Sequence, residues 1–188
     1  YLAVLETMDQ QLGVIFNYVR NSNSLVHNTV ILVCSDNGPE VGFGSAAPLR
    51  GHKATLYEGG IRSSLIAWAP GLMPKTAQGS RNHTSVFSAI DLVPSLLSIT
   101  STPAPKGVLF DGENLADTLL GKSKAARTKP LFFRRPPDRE TFRHYSALPD
   151  LAVRSGQWKL YCDYDGRNPE LYDLANDVSE QKQVGRQH

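Results

Sequence analysis

Three features of the sequence predict an α/β fold with a small antiparallel sheet toward its C-terminal end. An amphipathic helical stretch gives way to a turn-rich break and then to a short β-branched run, Val30-Ile31-Leu32-Val33-Cys34. A second apolar run, Ile61 to Trp68, stops at Pro70-Gly71. Late in the chain, LAVRSGQWKLYCDYD alternates on both sides of Ser155-Gly156, as the arms of a hairpin do.

Each element follows from local patterning. From Tyr1 to Arg20, Leu2, Leu5, Leu12, Ile15, Phe16 and Val19 share one helical face, while Glu6, Asp9, Gln10, Asn17 and Arg20 lie largely elsewhere. Asn21-Ser22-Asn23-Ser24 then breaks the helix. The run at 30–34 is closed by Ser35-Asp36-Asn37-Gly38 and reads as a buried strand ending in a polar turn, with Cys34 as a buried small hydrophobe. Between Pro39 and Leu49 no regular period survives, which predicts a loop. Ile61 to Trp68 reads as a second buried strand with Trp68 in the core. Val86 to Ile90 is a short strand or the approach to a helix, which Asp91 caps, Pro94 tolerates in its first turn, and Thr100 ends. Pro103 and Pro105 mark a connector, Glu113 to Leu120 a brief helix, and Lys122 to Lys129 a basic exposed stretch. The tail, LYDLANDVSEQKQV, is expected to fold back against the antiparallel strands. The resulting division is 1–110 and 111–188.

Composition excludes several classes. With 188 residues, 40% hydrophobic and 20% charged, and a formal net charge of +2, the chain can bury a core and makes no case for disorder or nucleic-acid binding. No segment reads as a membrane span. Two distant cysteines, Cys34 and Cys162, form neither a disulfide framework nor a metal pair. The chain opens at Tyr1 on an amphipathic helix instead of a basic start and an apolar signal core, so the true N-terminus is expected to have been removed.

Candidate chemistry gathers between Thr29 and Arg62, because loops beyond the carboxyl ends of strands in open α/β sheets collect reactive groups. Asp36 offers a carboxylate and Asn37 an amide oxygen, ligands that hard divalent cations accept. The same tetrapeptide also makes a good turn. Lys53 can hold an oxyanion against such a cation, or it is a solvated loop lysine beside a local Glu58–Arg62 ion pair. Gly59-Gly60 permits close backbone approach or positive φ. Asn82-His83-Thr84 is a glycosylation sequon that matters only in a secreted eukaryotic protein, and His83 is read as a surface histidine.

S-D-N-G-P at 35–39, followed by G-H-K-A-T-L-Y-E-G-G-I-R at 51–62, resembles the metal- and sulfate-binding segments of the sulfatase family, the arylsulfatase-type members of the alkaline phosphatase superfamily. Tyr1 to Gly13 resembles the helix before the metal strand, and Asp91-Leu92-Val93-Pro94-Ser95-Leu96-Leu97 the D-L-x-P-T-L-L segment. Leu151 to Val184 resembles the A-V-R-x-G-x-x-K and L-Y-D-L-x-x-D-x-x-E ending. The resemblance covers nearly the whole chain.

It implies the C-terminal portion of an alkaline-phosphatase-like sandwich, a mixed and mostly parallel sheet with helices, plus a small antiparallel subdomain. In that scheme 1–110 belongs to the catalytic domain and 111–188 is the C-terminal domain. It implies hydrolysis of sulfate monoesters, with Asp36 and Asn37 binding Ca²⁺ (Mg²⁺ as the alternative) and Lys53 as the catalytic, sulfate-contacting lysine. The basic stretch around Arg139 and His144 is either a solvated loop or, by analogy with the family, a recognition element for an anionic sugar. The family's nucleophile is a formylglycine made in a C/S-x-P/A-S-x-R segment; neither Cys34 nor Cys162 fits it, so formylglycine is expected in a missing N-terminal part and this chain alone is expected to be inactive. The implied partner is a sulfated small molecule or carbohydrate, with no nucleic acid and no membrane. Exposed sheet edges are expected to drive self-association. Family analogy favours an exported protein: periplasmic, secreted or lysosomal. Two alternatives stay open: a phosphodiesterase or phosphonate hydrolase of the same superfamily, and a non-catalytic binding module on this fold.

Overall fold

Residues 1–135 and 148–185 are described by the structure, a computed structural model. Their order is α1 (Leu2–Arg20), β1 (Ile31–Cys34), α2 (Glu58–Ile61), β2 (Leu65–Trp68), α3 (Leu92–Ile99), α4 (Ala116–Leu119), β3 (Leu131–Arg134), β4 (Leu151–Ser155), β5 (Trp158–Cys162) and β6 (Glu170–Asp173). They group into two compact units interleaved in sequence. The first is Tyr1–Val33 with Leu65–Arg127, and the second is Cys34–Ser64 with Thr128–His188. Residues 111–127 thus pack within the first unit.

In the first unit, β1 and β2 pair in a two-stranded sheet, and α1 meets it through Phe16, whose ring stands edge-on to Trp68 at 5.4 Å. The apolar stripe expected of α1 is mostly not buried. Val19 is inside and Leu12 and Phe16 are half-buried, but Leu2, Leu5 and Ile15 are exposed. A 19-residue helix is roughly 28 Å long, whereas two strands span only about 5 Å between their axes, so this sheet covers one end of the stripe. Cys34, expected to be buried, is exposed at the strand's last position, where the polar loop begins.

Helix α3 starts and stops close to where its sequence signals fall. Pro94 sits in its first turn, where a backbone N–H has no intrahelical acceptor to lose. Asp91 stands at the N-cap position of α3, but its side chain, expected to cap the helix, makes no capping hydrogen bond to it and is used elsewhere. Its carboxylate is fully buried, accepting from the backbone N–H of Ser88 (2.8 Å) and of Glu113 (2.8 Å), and pairing with the buried Arg127 at 2.5 Å. Ser95 continues the knot: its hydroxyl donates to the Asp91 carbonyl at 2.6 Å and accepts from the Leu115 N–H at 2.9 Å. One aspartate therefore joins the entry to α3, the approach to α4 and the end of the unit.

The second unit is built on an antiparallel sheet in the order β3-β4-β5-β6. The β4–β5 hairpin pairs Ser155 with Trp158, leaving Gly156-Gln157 as a two-residue loop. Gly156 has φ +57°, the left-handed value a primed turn needs at its first central position. The core is Leu56, Tyr57, Ala152, Tyr161, Tyr172 and Leu174, flanked by Phe133 and Leu148. Strand β5 inverts the usual alternation, turning Lys159 and Tyr161 inward and leaving Trp158 and Leu160 exposed. After β6 the chain turns back, and the Val184 N–H donates to the Leu171 carbonyl at 2.8 Å.

Removing one partner of a buried ion pair leaves an uncompensated charge, at a cost of about 3–5 kcal/mol. Asp91→Ala is expected to lower the stability of the first unit by about that much. Urea unfolding followed by Trp68 fluorescence in a Trp158→Phe background measures it; a loss below about 1 kcal/mol would show that the knot is not what holds α3 in place.

Candidate active site

All the described candidate residues lie in the second unit. Beyond β1 the chain enters the Ser35–Pro39 loop, and backbone hydrogen bonds tie this loop to the Lys53 segment: the Gly38 N–H donates to the Gly60 carbonyl (2.8 Å) and the Lys53 N–H to the Pro39 carbonyl (3.0 Å). Contact at this range requires glycine. A Cβ on Gly38 would fall 1.8 Å from the Gly59 carbonyl oxygen, and one on Gly60 would fall 2.2 Å from the Thr55 carbonyl oxygen. The Gly59-Gly60 pair is therefore used for close approach and not for positive φ.

Within the loop, the Asn37 side-chain NH₂ donates to Asp36 Oδ1 (2.9 Å) and to the Gly38 carbonyl (3.3 Å). Pinning the amide nitrogen orients the Asn37 side chain and leaves Asn37 Oδ1 and Asp36 Oδ2 without hydrogen bonds among the described residues. These are hard neutral and anionic oxygens, the donor type that Ca²⁺ and Mg²⁺ take. Two such residues supply about three oxygens of the roughly 6–8 that Ca²⁺ requires. Among the described residues no group of three or more His, Cys, Asp or Glu side chains could hold a metal.

Lys53 is exposed, and its ammonium lies 3.1 Å from Glu40 Oε2. It sits in a tight turn: the buried Thr55 hydroxyl donates to the His52 carbonyl (2.8 Å), His52 Nδ1 lies 2.8 Å from the Lys53 carbonyl, and Ala54 holds φ +74°. The left-handed region costs an L-residue roughly 1–2 kcal/mol, so this turn must be held from outside. Arg139 and His144 lie outside the described residues.

Apart from a local Glu58–Arg62 ion pair, sequence reasoning assigned no individual role to the residues that hold this turn. Glu58, expected at most to pair with Arg62, does so at 3.5 Å. Its carboxylate is fully buried, with Lys159 Nζ at 2.7 Å and Arg154 Nη1 at 3.0 Å. The buried Glu180 completes the cluster, one oxygen accepting from the Glu58 N–H (2.9 Å) and the other facing Lys159 at 3.4 Å and the Tyr161 hydroxyl. Arg50 lies over the Tyr57 ring (3.8 Å) and donates to the Tyr172 hydroxyl (2.9 Å). The signal was present in the sequence: Arg154 and Lys159 fall on the A-V-R-x-G-x-x-K pattern and Glu180 on the final glutamate of L-Y-D-L-x-x-D-x-x-E.

Charge balance sets the ionisation of the cluster. Burial pushes the Glu58 carboxyl up, but Lys159 and Arg154, with a smaller contribution from Arg62, outweigh it and hold it below the usual carboxylate value. Burial and the Glu180 carboxylate raise the Tyr161 phenol. Tyr172 is pushed up to about 12, by burial first and then by its hydrogen bond to Glu170.

These features define a mixed α/β protein in which a polar loop at a strand end is tied by backbone hydrogen bonds to a lysine-bearing turn. A family model described as Sulfatase matches residues 1–102. The chain belongs to the sulfatase family. It is 31% identical to a sulfatase of Formosa agariphila over 96% of this chain and 34% of that protein. It is 29% identical to an N-acetylgalactosamine-6-O-sulfatase of Bacteroides thetaiotaomicron over 98% of this chain and 38% of that protein. A solved structure described in terms of the metabolism of multiple glycosaminoglycans by Bacteroides thetaiotaomicron matches with a TM-score of 0.75 at 27% identity, covering 96% of this chain and 40% of that one. The mixed α/β architecture expected from the sequence is the fold of this family. The chain spans about a third of the length of the curated relatives it matches.

Two titrations follow. Glu58 ionises below its ordinary 4.5, so its stabilisation is complete above that pH and is lost as the pH falls through the lower folded value. Tyr172 titrates near 12 instead of 10, so its share is complete below pH 10 and is lost as the pH rises through about 12. Urea midpoints of the second unit, read at Trp158 in a Trp68→Phe background, are expected to fall between about pH 6 and about pH 3 and to flatten in Glu58→Gln. An equally steep fall in that variant would assign the acid sensitivity to another carboxylate.

Proposed function

We propose that the protein carrying this chain hydrolyses sulfate monoesters of carbohydrates or aryl groups, with Lys53 contacting the transferring sulfate and Asp36 and Asn37 contributing to a Ca²⁺ site. The observation that carries this reading is the backbone-coupled pair of segments, Ser35–Pro39 and Gly51–Ile61, one presenting two hard oxygens without hydrogen bonds among the described residues and the other an ammonium that already holds a carboxylate. A bound Ca²⁺ would polarise the sulfate oxygens, and a formylglycine contributed from elsewhere would supply the nucleophile. Lys53 neutralises charge that develops on the sulfate oxygens, and with the Asn37 NH₂ held by Asp36 and Gly38 the amide oxygen is the group left to take a cation. Glu40 holds the ammonium at the surface until an anion displaces it.

The 6-O-sulfatase activity in the name of a relative supports a sulfated sugar as the substrate class. On this reading Arg139 and His144 recognise the anionic sugar, residues 1–110 belong to the catalytic domain, and 111–188 form the small C-terminal domain. No helix among the described residues is long and apolar enough to cross a membrane. An exported address, periplasmic, secreted or lysosomal, fits a polysaccharide sulfate substrate. The edge strand β3, with Phe132 79% exposed, is the surface through which the isolated chain would self-associate.

In the gene product that contains this chain, Lys53→Ala is expected to lower kcat on an aryl sulfate by about 10²–10³, or roughly 3–4 kcal/mol. A loss below about tenfold would return Lys53 to a structural role. Parallel assays on phosphate diesters and phosphonates separate the superfamily alternative, and absence of all three activities would favour a binding module. For the 188-residue chain by itself, calorimetry is expected to find weak Ca²⁺ binding, because Asp36 and Asn37 fill only about half of a coordination sphere. Tight binding would reveal further ligands.

A further inference from the structure

The segment that carries Lys53 is anchored at both ends to one residue of the C-terminal tail. At its start, Arg50 reaches the Glu180 carbonyl with Nη1 at 3.4 Å, while its guanidinium packs on Tyr57 and bonds the Tyr172 hydroxyl. At its end, the Glu58 N–H donates to Glu180 Oε2 at 2.9 Å, and the Glu58 side chain is locked by Lys159 and Arg154. The two ends are also joined directly, the Gly59 N–H donating to the Arg50 carbonyl at 2.7 Å. Between them, the turn at Ala54 adopts a conformation that the peptide would not choose alone. Downstream, Gly60 bonds Gly38, next to Asp36 and Asn37.

We propose that Glu180, acting through Glu58 and Lys159, is a positioning residue for the site: it holds the turn that presents Lys53 in register with the Asp36–Asn37 loop. This rests on reading Lys53 as the sulfate-contacting group. Among the described residues, the Glu180, Glu58, Lys159 and Arg154 side chains bond within the cluster and not to the side chains of Lys53, Asp36 or Asn37. The proposal routes the contribution of Glu180 to turnover through the placement of Lys53, so that contribution should largely disappear when Lys53 is gone.

A double-mutant cycle reads this directly. In the complete gene product, Glu180→Ala is expected to reduce kcat/KM on an aryl sulfate about tenfold with Lys53 present and by less than about twofold in the Lys53→Ala background. Glu180→Gln keeps an acceptor for the Glu58 N–H and should recover activity to within about threefold of the parent. Equal losses in both backgrounds, with the parent active, would overturn the proposal and leave Glu180 purely structural. Should Glu180→Ala not fold, Lys159→Met, which keeps the volume and removes the charge, is read in the same cycle. If the parent hydrolyses no sulfate ester, the sulfatase reading falls, and hydrogen exchange decides the clamp by itself. An exchange rate at the Lys53 amide at least about tenfold faster in Glu180→Ala retains it, and an unchanged rate removes it.

Discussion

The second unit depends on how one buried carboxylate, that of Glu58, is neutralised. A lone carboxylate taken out of water is costly by several kcal/mol, and attraction to a partner offsets this only when the geometry is good and the remaining lone pairs are satisfied. Both conditions hold here. Lys159 and Arg154 each face a different oxygen of Glu58, and Glu180 supplies a second negative charge to Lys159. Two carboxylates thus meet two close cations, with Arg62 contributing from a more exposed position. The arrangement explains why β5 turns a lysine inward and leaves a tryptophan at the surface. Inside this sheet, the chemistry of Glu58 decides the face, not hydrophobicity.

That inversion marks where sequence reading stops. Helix α1, strand β1, helix α3 and the Gly156 hairpin were legible, because each has a local cause: apolar spacing, a β-branched run, a proline fit for a first turn, a residue that tolerates positive φ. The strand expected over 61–68 is only Leu65–Trp68, since Ile61 closes α2, and neither β1 nor β2 is fully buried. The loop residues Asp36, Asn37 and Lys53 could be singled out as candidates from residue type and small neighbours alone, and the structure brings their two segments together through backbone hydrogen bonds. Glu58 was not, because its nearest sequence cation, Arg62, is also its weakest partner by distance. The partners that matter lie about a hundred residues away, beyond the reach of any periodicity. Cys34 and the exposed side of α1 escaped for a related reason: how much of an apolar face is covered is a property of the neighbouring elements, and here the neighbour is a two-stranded sheet.

The two units apply the same physical device to different ends. In the first, Asp91 spends its acceptor capacity on Ser88, Glu113 and Arg127, and so welds helix starts together. In the second, Glu180 spends its own on the Glu58 N–H, Lys159 and Tyr161. A carboxylate with several directed donors gives orientation as well as attraction, which an apolar contact of equal strength would not. This is why both positions are acidic although both are dry.

The long reach of the Glu58 contacts has a consequence for biogenesis. On a ribosome, the Lys53 turn emerges well before β4, β5 and the tail that secure it, and closing such long loops is entropically slow. Until Arg154, Lys159 and Glu180 have emerged, only Arg62 of the three cations that pair with Glu58 among the described residues is present, and the carboxylate stays in water. Arrangement of this region therefore follows synthesis of β4, β5 and the Glu180 segment, and any nascent product that stops short of Glu180 carries Asp36, Asn37 and Lys53 without the contacts that hold the Lys53 turn.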